Sequence, residues 1–104
     1  MDGNKIMELL TEAKLLYTRI PTIGNKAARD SALQPIKSRL DYIRHLISPY
    51  RTDLIEHLDH LLRHIGGAHA TRPTQGYIPQ KHRIWADRAW IVLEREMRKI
   101  QHSL

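Results

Sequence analysis

The chain is predicted to be one all-α domain, a compact bundle of four to five helices with a single long loop at about residues 66–80. Three observations predict this fold. Apolar residues recur at helical spacing in four segments, no segment alternates apolar and polar residues as a half-buried strand does, and 104 residues is the length of one domain. Because each amphipathic helix must bury its apolar side on another helix, four such helices indicate a bundle over residues 1–104.

The first helix is marked by apolar residues that recur from Ile6 to Ile20. Asp2 or Asn4 can cap its start, and Pro21 ends it. A turn is predicted over residues 22–25.

The second segment contains Pro35, which allows two interpretations. Either a short helix ends near Ser31 and a new one starts at Gln34, or one long helix kinks at the proline. The preference of proline for the first helical position favours the break. After it, apolar positions from Ile36 to Tyr50 step by four and three residues, which predicts one buried side.

The next helix is predicted to start at Ser48 and Pro49, a capping residue followed by proline, and to close at Gly66 and Gly67. Residues 66–80 hold three glycines and two prolines, so we expect no regular structure there. A loop of this length is usually functional or disordered. The last helix is predicted from about Lys81 to Gln101. Its apolar positions are Ala86, Trp90, Leu93, Met97, Ile100 and Leu104.

The charge balance predicts an anionic partner. The formal net charge is +6, and the sequence pI is about 10.0. Such a surface suits nucleic acid or an acidic protein face. The chain has no cysteine, which excludes disulfides and thiolate metal sites and suits a reducing cytoplasm. No apolar run reaches the ~20 residues of a membrane span, so no membrane is expected. No nucleotide-binding fingerprint is present, and no cofactor is expected.

Basic residues of the middle and last helices are the predicted contacts to that partner. Arg88 and Arg95 have no acidic residue three or four positions away, whereas Glu94 can pair with Arg98 and Glu96 with Lys99. The alternative is a solvated face, or pairing with acids of the 53–64 helix. The loop adds basic and aromatic residues in alternation, a pattern compatible with nucleic acid. The predicted set is Lys37, Arg44, Arg51, Arg72, Tyr77, Lys81, Arg83, Arg88, Arg95 and Lys99.

Two isoleucines lie among these arginines. Ile84 and Ile91 fall on the polar side of the last helix, and Trp85 falls at the edge of its apolar stripe. We interpret the three side chains as anchors of a partner protein or a homodimer interface. The alternative is that the helix is central and buried nearly all round. Trp90 is on the apolar stripe and is predicted to be in the core.

Three histidines share one side of the 53–64 helix. Asp53, His57, His60 and His64 project within about 60° of one another on an ideal helix. Spacing of four suits two imidazoles on zinc, but no further ligand or orienting group is identifiable, so no metal is predicted. The histidines lie off the apolar stripe, and a pH-sensitive exposed surface is the favoured interpretation.

One short spacing resembles a nuclease family. Arg51, five residues and His57 resemble the Arg-x(4–6)-His motif of HEPN-type ribonucleases, over seven residues of the chain. Thr52 loosely matches the polar residue that the family places after the arginine. The resemblance implies that the pair would contact and cleave RNA, usually across a dimer.

Three functions are therefore open. The first is a small non-enzymatic module that binds nucleic acid. The second is a protein-binding regulator: an adaptor, a small subunit, or an inhibitor of a nucleic-acid-processing complex. The third, more remote, is the HEPN-like ribonuclease, in which cleavage would be lost on His57→Ala with the fold intact.

Overall fold

The computed structural model describes residues 2–103, without the side chain of Ser103, and these residues form four α-helices and no β-sheet. Helix α1 spans Gly3–Arg19, α2 spans Lys26–Ile47, α3 spans Ile55–Ala68 after a 3₁₀ turn at Thr52–Leu54, and α4 spans Pro79–Ser103. The predicted all-α bundle is confirmed. Leu104, the last position of the predicted apolar stripe, lies outside the described residues.

Each helix packs on two others: α1 and α3 both contact α2 and α4. Helices α1 and α4 run antiparallel, because Asn4 Oδ1 accepts from Gln101 Nε2 at 2.9 Å while Lys14 pairs with Glu94. Their backbones meet closely: a Cβ atom at Gly3 would lie 2.8 Å from the Cα of Gln101. The two ends of the described chain therefore lie side by side at one pole of the bundle, and the α1–α2 and α3–α4 connections lie at the other.

The core is formed by the predicted apolar stripes. Trp90 is buried among them, as its position in the sequence predicted. The largest fully buried side chains are Trp90, Ile6, Leu10, Leu33, Ile36, Leu40, Ile43, Ile47, Leu54, Leu58, Leu61 and Ile65.

The predicted break at Pro35 is wrong, because α2 continues through the proline as one helix. Proline inside a helix costs roughly 3 kcal/mol through its missing N–H and its clash with the preceding turn. Leu33 and Ile36 are both fully buried on either side of it, so one continuous buried stripe outweighs that cost. The carbonyl of Pro35 accepts a hydrogen bond from Arg39 Nη1 at 3.0 Å.

The predicted helix start at Ser48 and Pro49 is also wrong. Ser48 caps the end of α2, where its N–H donates to the carbonyl of Arg44 at 3.0 Å. The N–H groups of Tyr50 and Arg51 then both donate to the carbonyl of Ile47, at 2.9 and 2.8 Å. This turn satisfies the backbone without a helix, so α3 begins only after it.

Helix α3 does not close at its two glycines but continues through them to Ala68. Gly67 is there because the ring of His82 lies against it: a Cβ atom at Gly67 would be 2.5 Å from His82 Cγ and 2.7 Å from Nε2. A Cβ atom at Gly66, in contrast, would have no other atom within 4 Å. Sequence reasoning took both for terminators, whereas one of them permits a close approach between α3 and α4.

The long loop is shorter and more regular than predicted. It begins after Ala68, and α4 starts at Pro79 rather than Lys81. Thr74 and Tyr77 exchange two backbone hydrogen bonds, of 2.9 and 3.0 Å, around Gln75 and Gly76. Both central residues have positive φ, 54° and 80°, as a tight type I′ turn requires. These two hydrogen bonds give residues 74–77 a regular turn, where the sequence predicted no regular structure.

Candidate functional site

The outer side of α4 carries the largest set of exposed cations that the sequence predicted. At about 100° per residue, the arc opposite the core holds Lys81, Ile84, Arg88, Ile91, Arg95, Arg98 and Lys99, which we call the α4 stripe. All seven residues are exposed, and no carboxylate lies among them. The stripe extends from residue 81 to residue 99, which is about 27 Å at 1.5 Å per residue.

The cations of the α4 stripe differ in their partners. Arg88 has no carboxylate within 4.0 Å in the described part of the chain, as the sequence predicted. The same expectation is wrong for Arg95, whose Nε lies 3.7 Å from the adjacent Glu96. Glu96 also binds Lys99 at 3.3 Å, as predicted. Glu94 pairs with Lys14 of α1 instead of Arg98, which leaves Arg98 without an ion pair within residues 2–103.

The α4 stripe also contains two apolar side chains. Ile84 is 51 % exposed and Ile91 is 61 % exposed, which contradicts a helix buried all round. Trp85 lies at the edge of this surface and is half-buried rather than exposed, because it packs on the rings of His64 and Tyr77 at 4.9 Å each. A row of arginines separated by exposed isoleucines can contact anions and apolar groups together.

The predicted cations of the middle helix do not join this surface. Arg44 pairs with Asp59 at 3.4 Å. Arg51 donates to Asp53 and Glu96 at 3.0 and 3.2 Å, and these hydrogen bonds hold the pKa of both carboxyl groups below their usual range. Arg44 and Arg51 are therefore both paired with carboxylates within the fold.

The loop residues are also divided between surfaces. Arg83 Nη2 donates to the carbonyl of Ala68 at 3.0 Å, so it caps the end of α3 and faces away from the α4 stripe. Tyr77 is exposed, with its ring against the edge of Trp85. Arg72 is exposed and has no ion pair within residues 2–103. Only Lys81 of this predicted group belongs to the stripe.

The histidine surface is partly buried, which overturns the expected exposure. His64 is 7 % exposed, and its Nδ1 lies 2.9 Å from Nδ1 of His82, which is fully buried. His82 Nε2 lies 2.8 Å from the carbonyl oxygen of Thr74, so Nε2 carries a proton and Nδ1 accepts from His64 in the neutral pair. Burial, with the neighbouring cations as a smaller cause, lowers the pKa of His64 to about 4.

Sequence reasoning missed His82, although its position on the apolar arc of α4, four residues before Ala86, could have identified it as buried. The histidine pair fixes the tight turn of residues 74–77 to the bundle. Among the described residues, no group of three or more His, Asp or Glu side chains is placed to hold a metal ion.

Arg51 and His57 have different surroundings within the described chain. Arg51 is held by two carboxylates, and no hydrogen bond in the described chain joins it to His57. His57 instead lines a groove between α3 and α4 with His60 and Arg88.

A second basic surface, which the sequence analysis did not assemble, lies between α2, α3 and the 74–77 turn. It is an open cavity of about 420 Å³. Its charged lining is Lys26, Arg29, Asp30, Lys37 and Arg63, and Lys37 is the only member of the predicted set. We call it the α2–α3 basin.

No described helix is both long enough and apolar enough to cross a membrane. No family model, curated protein or solved structure matches the chain.

Proposed function

We propose that the protein is a non-enzymatic, nucleic-acid-associated binding module and that the α4 stripe is its contact surface. One observation carries the proposal: five cations lie along about 27 Å of one exposed helix face, and among the described residues only two of them, Arg95 and Lys99, contact a carboxylate. Phosphates of a nucleic-acid backbone are spaced closely enough to meet several of these cations at once. Contact with the backbone alone gives affinity without sequence preference.

The electrostatics of the stripe set the expected salt dependence. If three to five cations neutralise phosphates of duplex DNA, log K should fall with log[salt] with a slope of roughly −2.7 to −4.5. Arg88 has no internal partner to lose, so its contact costs no broken ion pair. Arg95 and Lys99 share one carboxylate, Glu96, which Arg51 also binds, so that Glu96 keeps a partner when they turn outward.

The test is a titration of labelled single- and double-stranded DNA and RNA at several salt concentrations between about 50 and 200 mM. The variant is Arg88→Ala/Arg95→Ala. The matched control is Lys5→Ala/Arg19→Ala, which removes the same charge from exposed positions of α1. We expect the stripe variant to bind more weakly and its salt slope to shrink by about 2, and the control to keep the wild-type slope. Equal losses of affinity in both variants would show that the interaction depends only on the net charge of the protein. Absence of binding at low salt would contradict the proposal.

A second candidate, a protein-binding regulator, is favoured by the exposure of Ile84 and Ile91. Burying an isoleucine contributes roughly 1.5–3 kcal/mol, and phosphates do not use such a contact. The complementary partner is an acidic surface with apolar groups, such as that of an adaptor target or a nucleic-acid-processing enzyme. A second copy fits less well, because an isologous contact through the stripe would bring arginines against arginines.

Nucleic-acid binding by the variant Ile84→Ser/Ile91→Ser distinguishes the two candidate functions. Under the nucleic-acid proposal this variant should bind nucleic acid within about two-fold of the wild type, since it keeps every cation of the stripe. A loss comparable to that of the arginine variant would favour an apolar partner. Sedimentation of the wild type tests the homodimer, for which we expect a monomer. The cysteine-free composition is compatible with the reducing environment of the cytoplasm, where we place this function.

A further inference from the structure

The α2–α3 basin concentrates positive charge in one concave site. Four of its lining residues are cationic, namely Lys26, Arg29, Lys37 and Arg63, and Asp30 is the one acidic lining residue. Asp30 is already paired with one of these cations, because it accepts a hydrogen bond from Lys26 at 2.8 Å. This hydrogen bond, with Lys37 and Arg29 nearby, holds the pKa of Asp30 below its usual range. The lining therefore carries a formal surplus of three positive charges.

Arg29 is the most buried of the four cations. It is only 8 % exposed, yet no carboxylate lies within 4.0 Å of its guanidinium among the described residues. Its Nη1 donates to the carbonyls of Ile23 and Gly24, at 3.0 and 3.4 Å, and its buried Nε has no hydrogen-bond partner in the part of the chain that the structure describes. A buried charge normally has a counter-charge, because a charge that loses its water without gaining one is strongly destabilised.

The backbone adds to the positive potential. Helix α2 begins at Lys26, beside the basin, and has no acidic residue in its first turn. The N-terminus of a helix carries a partial positive charge that favours an anion. On the other wall, Gly66 of α3 leaves open space where a side chain would stand. The site is thus positive and also has room.

We propose that the α2–α3 basin binds a phosphate group, with Arg29, Lys37 and Arg63 as its recognition residues. A phosphate supplies the negative charge that the lining lacks and acceptor oxygens for the unused guanidinium donors of Arg29 and Arg63. The basin and the α4 stripe share no residue, so this site is separate from the proposed nucleic-acid surface. The same chemistry is offered by free inorganic phosphate and by the terminal phosphate of an oligonucleotide.

The experiment is a calorimetric titration of the full chain with inorganic phosphate, at ionic strength held constant with sodium chloride. The variants are Lys37→Ala and Arg63→Ala, both outside the core, and the matched control is Lys5→Ala. We expect saturable binding of one phosphate per chain, at least ten-fold weaker in either basin variant and unchanged in the control. Absence of a saturable signal, or equal affinity in all four proteins, would overturn the proposal.

Thermal unfolding gives a second readout that does not depend on the heat of binding. Phosphate should raise the Tm of the wild type above that in chloride at equal ionic strength, and Arg63→Ala should lose most of this rise. A Tm rise that persists in Arg63→Ala would contradict a site in the basin.

The source of the phosphate is resolved by two further titrations, with a 5′-phosphorylated and a 5′-hydroxyl oligonucleotide of the same sequence. Stronger binding of the phosphorylated strand, reduced in Lys37→Ala, identifies a strand terminus. Equal binding of both strands, together with saturation by inorganic phosphate, identifies the free anion. Failure of the α4 stripe variant to weaken nucleic-acid binding leaves these outcomes unaffected.

Discussion

Gly66 and Gly67 are neighbours in the last turn of α3, and their substitution by alanine should have opposite effects. Alanine is favoured over glycine in a helix by up to about 1 kcal/mol, and this gain applies to both positions. At Gly66 the new methyl meets nothing within 4 Å, so we expect Gly66→Ala to stabilise the protein by about 0.5–1 kcal/mol.

At Gly67 the methyl would lie 2.5 Å from His82 Cγ, well inside van der Waals contact. The ring of His82 cannot withdraw freely, because it is fully buried and bonded to His64 Nδ1 and to the carbonyl of Thr74, at 2.9 and 2.8 Å. Overpacking costs roughly 1–3 kcal/mol, and each hydrogen bond that breaks adds about 1 kcal/mol. After the alanine gain is subtracted, Gly67→Ala should destabilise the fold by about 1–3 kcal/mol.

Urea unfolding followed by tryptophan fluorescence measures both variants, with the midpoint compared at constant m-value. The decisive background is His82→Ala, which removes the ring. There Gly67→Ala should become neutral or stabilising, and the difference between the two backgrounds is the coupling energy. If Gly66→Ala and Gly67→Ala shift the midpoint alike, or if the cost of Gly67→Ala is unchanged without the ring, the close approach of α4 does not explain the glycine.

Two further predictions concern buried polar groups. The pKa of His64 is about 4 in the fold, below its unfolded value of 6.5. The contribution of the neutral ring to the free energy of unfolding is therefore fully present above pH 6.5 and is lost as the pH falls toward 4. This amounts to a loss on the order of 3 kcal/mol, and urea midpoints measured from pH 7 to pH 4 should fall less steeply in His64→Asn; equal slopes would contradict it. Tyr17 has a buried hydroxyl with no hydrogen-bond partner among residues 2–103, and burial, followed by Asp87, raises its pKa to about 12. Tyr17→Phe should therefore raise the free energy of unfolding by up to about 1 kcal/mol, and a decrease would show that the hydroxyl has a partner.

The helices could be predicted where the apolar period is long and uninterrupted. Helix α1 begins at its Asp2 cap and ends before Pro21, as the sequence indicated. The errors fall at Pro35, Ser48 and Gly67, where a residue with a strong local preference sits in a tertiary environment that decides otherwise. A buried stripe crosses the proline, a turn captures the serine, and a histidine ring from another helix requires the glycine. The burial of the stripe and the position of the ring depend on other helices, which the sequence next to each residue does not show.

The candidate surfaces were predictable to a different extent. The α4 stripe follows from the angular position of residues along one helix, so the sequence identified most of it. The α2–α3 basin joins residues from two helices and a turn. No spacing along the chain indicates that Arg29 and Arg63 share a cavity. The neutralisation of Arg51 is of the same kind, because Glu96 is 45 residues away.

The contact between Gly3 and Gln101 makes the bundle nearly a closed ring. A linker of a few residues could join Gly3 to Gln101, and the exposed Gln75–Gly76 turn at the opposite pole would offer a place to open the chain. A protein attached beyond Gly3 or beyond Gln101 would stand at the pole away from the basin and leave it accessible. The same arrangement means that fraying of the first turn of α1 exposes the last turn of α4, so that both ends should lose their amide protection together in hydrogen exchange.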